Sequence, residues 1–189
     1  MIKNVKIFGI EDSFRASKFP MSVHIDEVNG DITPTIKKLA KCGTGEGHDN
    51  FLNGIIVQFD LTFTNKAWVE MQRYHFIDFV SSQSTMHRIS KMDLHSGCIE
   101  YVTENTINEI ERLRDEYLAD QTPENYLRLL YNIPSGFRIT ARMTTNYRQL
   151  KTIYKQRKNH RLPEWRKFCA WIENLPYAEL ITREEKENA

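Results

Sequence analysis

The sequence predicts an α+β fold in which a central, mostly antiparallel sheet is flanked by helices. Two segments point to the sheet. Residues 54–63 (GIIVQFDLTF) and 136–144 (GFRITARMT) are rich in β-branched and aromatic residues and partly alternate apolar with polar. The helices are indicated by apolar residues that recur at helical spacing behind proline or cap-like starts. With 189 residues, 40% of them hydrophobic and 27% charged, the chain can bury a core as an ordinary globular protein. No internal repeat, linker or low-complexity stretch divides it, so one domain over residues 1–189 is expected.

From the N-terminus, residues 5–10 read as a short strand and residues 13–19 as a turn or short helix. Asp31-Ile32-Thr33-Pro34 starts a helix, because proline's fixed φ and missing N–H suit a first turn. That helix stops at Gly43, and the loop GTGEGHDN follows. After the strand at 54–63, Asn65 is placed to cap a helix running to about Phe79. Trp68, Met71, His75 and Phe79 recur along it at helical spacing. A Ser-rich turn and a less regular stretch lead to Tyr101. Residues 106–118 form an amphipathic helix striped by Ile107, Ile110, Leu113 and Leu118. Thr122-Pro123-Glu124 starts another, which ends near Pro134. The strand at 136–144 puts Phe137, Ile139, Ala141 and Met143 on one face and Arg138, Thr140 and Arg142 on the other, since Cβ directions alternate. Two helices, residues 145–157 and 163–175, close the chain.

Bulk composition excludes several classes. No apolar run approaches the roughly 20 residues that cross a bilayer, so no membrane partner is expected. The N-terminal MIKNVKIFGIEDSF meets acidic residues before an apolar core develops, unlike a secretory leader. Cys42, Cys98 and Cys169 are widely spaced and form no CxxC, which points to reduced thiols in a cytoplasmic setting and to no metal site. The net charge of +1 hides an asymmetry. Residues 100–124 carry eight acids against two arginines, the pattern of a solvated face. Residues 138–167 carry ten Lys and Arg against one acid, Glu164. These cations sit among aromatic and apolar residues and could serve a phosphate-bearing small molecule or a polynucleotide. The near-neutral total and the lack of a recognisable binding motif argue against nucleic acid.

Within that basic block Asn146, Leu150, Ile153 and Arg157 share one helical stripe, with its polar ends roughly 16 Å apart. Spacing alone describes a capped helix with an arginine near its C-terminus. The wording of the segment says more. IPSGFRITARMTTNYRQLKTIYKQRKNHRLPEW resembles the C-terminal part of the flavin-dependent thymidylate synthases: Pro134, Asn146, Arg148, Leu150 and Arg157 stand at that family's spacings without a gap. His160 and Glu164 follow if one residue is deleted. The resemblance implies that Asn146 and Arg148 contact flavin. It also implies that Arg157 grips the pyrimidine edge of dUMP and helps ionise N3, which activates C5 as a nucleophile. A guanidinium suits that task because it is always charged and donates in a planar fork.

Two further blocks agree in order. GEGHDNFLNGIIVQFDLTF resembles the family's Gly-His-Glu-(Thr/Ser)-Pro-x-x-His turn leading into a strand, with His48 on the first His and Gly54 on the second. QRYHFIDFVSSQSTMHRI resembles the Arg-His-Arg-x-x-Ser motif and the text after it. Arg73 falls on its first Arg, Tyr74 and His75 on the next two positions, and Asp78 on its Ser. Arg88 matches the later Arg after about two inserted residues. Ser81, Ser82 or Ser84 could supply a hydroxyl. Phe14-Arg15-Ala16 is a weaker echo near the N-terminus.

The resemblance thus implies flavin contacts at His48, Arg73, His75, Asn146, Arg148 and His160. Nucleotide contacts are implied at Glu70, Ser84, Arg88, Arg138, Arg142 and Arg157, where Arg138 and Arg142 flank the place of a phosphate-binding Arg. It implies a homotetramer in which several subunits build each site, with FAD, NADPH as reductant and methylenetetrahydrofolate as one-carbon donor. The expected activity is one-carbon transfer to C5 of a pyrimidine deoxynucleotide, dUMP to dTMP. The missing His and second Arg of the central motif motivate the alternative, a relative that binds nucleotide or flavin without turnover.

Overall fold

The computed structural model of the protein describes residues 2–43 and 46–182; residues 44 and 45 of the predicted glycine-rich loop lie outside them. Four strands, β1 (Ile2–Phe8), β2 (Ile56–Thr64), β3 (Ile77–Ser82) and β4 (Arg138–Asn146), form one sheet in the order β1-β2-β4-β3. The pairing of β2 with β4 is antiparallel. Tyr147 N donates to Ile55 O at 3.0 Å, and Asn65 N donates to Phe137 O at 2.9 Å, so one index falls as the other rises. The Thr62 and Thr140 hydroxyls meet between them at 2.8 Å. The helical segments are α1 (Ile10–Ser17), α2 (Pro34–Ala40), α3 (Asn65–Met71), α4 (Thr85–Arg88), α5 (Leu94–Gly97), α6 (Glu104–Ala119), α7 (Pro123–Tyr131), α8 (Tyr147–Arg157), α9 (Pro163–Ile172) and α10 (Glu179–Thr182). The α+β class and the antiparallel sheet therefore agree with the sequence.

Residue contacts gather into two compact units. One is drawn from Met1–Asp60, Tyr74–Asp78 and Met143–Ala189, the other from Leu61–Arg73 and Phe79–Arg142. In the first, α8 packs on α9 and α10, and Leu150, Ile153, Trp165, Phe168 and Ile172 are all at most 1% exposed. Phe59 meets Phe168 and Trp171 with ring centroids 5.8 and 4.8 Å apart. Gly9, at φ 75°, lets β1 turn into α1 at a place where a Cβ would come within 2.5 Å of the Gly54 carbonyl oxygen. In the second unit, Ile107, Ile110 and Leu113 of α6 pack with Leu129 of α7, and Ile89, Leu94 and Phe137 belong to the same core. Three residues of the predicted α6 stripe, Ile107, Ile110 and Leu113, are thus buried, whereas the fourth, Leu118, is 50% exposed near the helix end.

The helix expected from Asn65 to Phe79 is corrected. It ends at Met71, and residues 77–82 are strand β3 at the edge of the sheet. Trp68 and Met71 are buried as the spacing required, but Phe79 is 48% exposed. The reason is tertiary. Thr145 Oγ1 donates to the Phe76 carbonyl at 2.7 Å, and Gln83 N to Thr140 O at 2.9 Å. These hydrogen bonds reward an extended chain over another turn of helix. The irregular stretch before Tyr101 contains α4 and α5, and the first strand and helix begin earlier than the expected 5–10 and 13–19.

Candidate functional site

The basic C-terminal segment becomes helix α8, and its two halves hold two separate polar clusters of the first unit. At the N-terminal half, Asn146 caps the helix, its Oδ1 accepting from Gln149 N at 2.8 Å. Arg148 donates through Nε to Oδ1 of Asp49 at 3.1 Å. Lys151 donates to Asp49 Oδ2 at 2.7 Å and to the carbonyls of Ala40 and Cys42 at 2.8 and 3.0 Å. Asp49 is only 6% exposed, so two cations neutralise one buried carboxylate. Among the described residues the outer nitrogens of Arg148 take no hydrogen bond, and they form a donor fork whose plane is already set. His48, next to Asp49, is exposed.

At the C-terminal half Arg157 is 4% exposed. Its Nε donates to the Tyr74 hydroxyl at 2.7 Å, and Tyr74 in turn donates to Gln156 Oε1 at 3.1 Å. Its Nη1 lies 2.7 Å from His160 Nε2. The guanidinium carbon sits 4.7 Å from the Trp165 ring centroid and 5.6 Å from that of Tyr74, within cation–π range. Leu162 N donates to His160 Nδ1 at 3.2 Å. Tyr74 occupies the position where the resemblance puts the motif's histidine. Here it is 8% exposed and braces Arg157.

In the second unit Glu70 is half-buried and lies 3.9 Å from Lys66. Arg73 and Arg88 are exposed, Ser84 precedes α4 as its cap residue, and Arg142 is half-buried on β4. Arg138 is exposed and donates through Nη2 to the carbonyls of Ser96 and Cys98, at 2.8 and 2.7 Å, and through Nε to Gly97 at 3.3 Å. A helix end with orphan carbonyls draws a nearby guanidinium strongly. His75, in the first unit, is exposed.

Two solved structures of the flavin-dependent thymidylate synthase ThyX from Helicobacter pylori, each with FAD and dUMP, match the chain with TM-scores of 0.75 and 0.76. The chain has the fold of the flavin-dependent thymidylate synthases. The matches cover 96% of this chain and 96% of each ThyX chain, at 13% and 15% identity. No protein-family model and no curated protein matches the sequence.

On this thymidylate synthase fold, Asp49, Lys151, Tyr74 and Trp165 are the polar and aromatic partners that sequence reasoning missed. Asp49 could have been suspected from its place beside His48 and Tyr74 from its place on the motif's histidine position; Lys151 and Trp165 carried no local signal. A flavin dinucleotide needs donors for its phosphates, and the outward fork of Arg148 on its Asp49 anchor fits that need, as does exposed His48. Cys42, Cys98 and Cys169 are all buried and free. No helix among the described residues is long and apolar enough to cross a membrane.

Proposed function

We propose that this chain, working as one functional domain, binds FAD and a pyrimidine deoxynucleotide and transfers a one-carbon unit to C5 of the nucleotide, dUMP to dTMP. The observation that carries this reading is the Asp49-anchored Arg148 on α8, set on a thymidylate synthase fold. In this reading Arg148 and His48 hold the flavin phosphates, with Arg73, His75 and Asn146 contributing. Arg157 meets the pyrimidine edge, its plane held by Tyr74 and His160. A guanidinium desolvated this far binds a developing anion more strongly than one in water. Glu70, Ser84, Arg88 and Arg142 are assigned to the nucleotide. Reduced flavin supplies the hydride chemistry when bound, with methylenetetrahydrofolate as carbon donor, NADPH as reductant and the cytoplasm as compartment. Phe79 and Val80 on edge strand β3 are 48% and 59% exposed, apolar surface of the kind that self-association covers. This supports the homotetramer.

A second reading, binding without turnover, is favoured by the enclosure of Arg157 and by Tyr74 at the motif's histidine position. Absorbance titration separates the two. Purified protein should bind FAD, and dUMP should perturb the flavin spectrum. With methylenetetrahydrofolate and NADPH, dTMP should then appear by chromatography, and the gene should rescue a strain lacking thymidylate synthase. Binding without dTMP or rescue selects the second reading, and indifference to both FAD and dUMP sinks both.

A further inference from the structure

Lys151 lies three residues beyond Arg148 on α8, on the same side of the helix. Its ammonium donates to Asp49 Oδ2 at 2.7 Å, to the Ala40 carbonyl at 2.8 Å and to the Cys42 carbonyl at 3.0 Å. An ammonium has three protons, and these three acceptors take them, so Lys151 has no donor left for a ligand. Ala40 ends α2, and its carbonyl is one of those that a helix C-terminus leaves without an intrahelical partner. A cation is favoured there. The end of α2 therefore fixes the ammonium, which meets Asp49 from a set direction. All of these residues belong to the first unit.

That grip decides how Arg148 is held. An arginine and a carboxylate commonly close as a two-point fork. Here Arg148 makes one contact, Nε to Asp49 Oδ1 at 3.1 Å, while Oδ2 faces Lys151. A fixed ammonium at Oδ2 also repels a second cation that turns toward the same oxygen. Among the described residues the terminal nitrogens of Arg148 take no hydrogen bond, and its side chain is 37% exposed. Without Lys151 the balance reverses. A carboxylate as enclosed as Asp49 needs hydrogen bonds at both oxygens, and Arg148 is the other cation paired with it.

We propose that Lys151 is a positioning residue. By holding Asp49 Oδ2 it prevents Arg148 from closing a two-point pair, and so keeps the terminal guanidinium nitrogens available for a phosphate. The purpose of this arrangement rests on the reading of Arg148 as a flavin-phosphate contact. The arrangement itself can be probed without any ligand.

Phenylglyoxal, which condenses with the terminal nitrogens of an accessible guanidinium, probes Arg148 in the full chain, with the rate at that residue read by peptide mass mapping. Lys151→Met should slow the reaction by about fivefold. Lys151→Gln, which keeps amide donors for the α2 carbonyls and so favours folding, should also slow it. General loosening of the structure would expose Arg148 and speed the reaction, the opposite sign. Adding Asp49→Asn to Lys151→Met should restore the parent rate, because a neutral amide does not draw the guanidinium into a two-point ion pair. Lys155→Met removes a charge one turn further along α8 and should match the parent. Circular dichroism checks the fold of each variant. In absorbance titration FAD affinity should fall and recover in the same order. Equal rates in the parent and both Lys151 variants, or a slow rate that persists in the double variant, would overturn the proposal. If the parent ignores FAD while the modification rates keep the expected order, the flavin reading falls and the control of Arg148 by Lys151 stands.

Discussion

Arg157 joins a permanent charge to almost complete burial, and its neighbours make that combination tolerable. Tyr74 accepts from Nε, His160 faces Nη1, and the Trp165 ring lies beneath the guanidinium. Tyr74→Phe removes one acceptor, and urea unfolding should register a loss of about 1–2 kcal/mol. Arg157→Lys keeps the charge but not the planar fork, and should cost roughly 2–4 kcal/mol. A lysine variant as stable as the parent would refute the brace. Burial also acts on protons. It pushes the Cys169 thiol up from 9.0 to about 12, with Glu173 adding and Arg157 opposing, and it raises the Tyr147 phenol. A raised value means the folded state holds its proton longer. The contribution is complete below about pH 9 and is lost as pH climbs through the folded value. Unfolding free energy should therefore fall above about pH 9, and less steeply in Cys169→Ala. At this scale Arg157 was legible in the sequence as a helix-end arginine. Its partner Tyr74 was not, because it stands 83 residues away.

The helix starts at Thr33, Thr122 and Asn146 were legible because their chemistry is local, whereas Thr64 caps α3 in place of the expected Asn65 and Thr103 caps α6 ahead of the expected start at residue 106. Thr33, Thr64, Thr103, Thr122 and Asn146 each accept a hydrogen bond from the first turn of the helix they precede, and a side-chain oxygen at that position satisfies an otherwise orphan N–H. Asn146→Ala should therefore lower stability by about 1 kcal/mol in thermal unfolding. An unchanged midpoint would mean that packing of Leu150 and Ile153 alone holds α8. Edge strand β3 was illegible for the opposite reason. Its residues also satisfy helical spacing, and the choice was made by hydrogen bonds to β4, whose sequence lies far downstream.

For the whole molecule, the likeness to ThyX at 13% and 15% identity over 96% of the chain shows how little of a fold's sequence must persist. The antiparallel sheet needs alternation at β2 and β4 and apolar stripes on α6, α8 and α9, and many side chains meet those demands. If the proposed assembly is right, sedimentation equilibrium should give the mass of four chains, and Phe79→Lys with Val80→Lys should shift it to a smaller species. A parent chain that sediments as a monomer would remove the tetramer. By itself the sequence determined the α+β class, the helix starts at Thr33, Thr122 and Asn146, the alternating faces of β4 and the stripe that buries α8, because each depends on residues within a few turns of one another. Only the tertiary structure decided that residues 77–82 are a strand, that Arg138 caps α5 and that Tyr74 braces Arg157. Asp49's pairing with Arg148 and Lys151 was decided there too. These outcomes join residues 40 to 102 positions apart, and local spacing carries no information about which distant partner a side chain will meet.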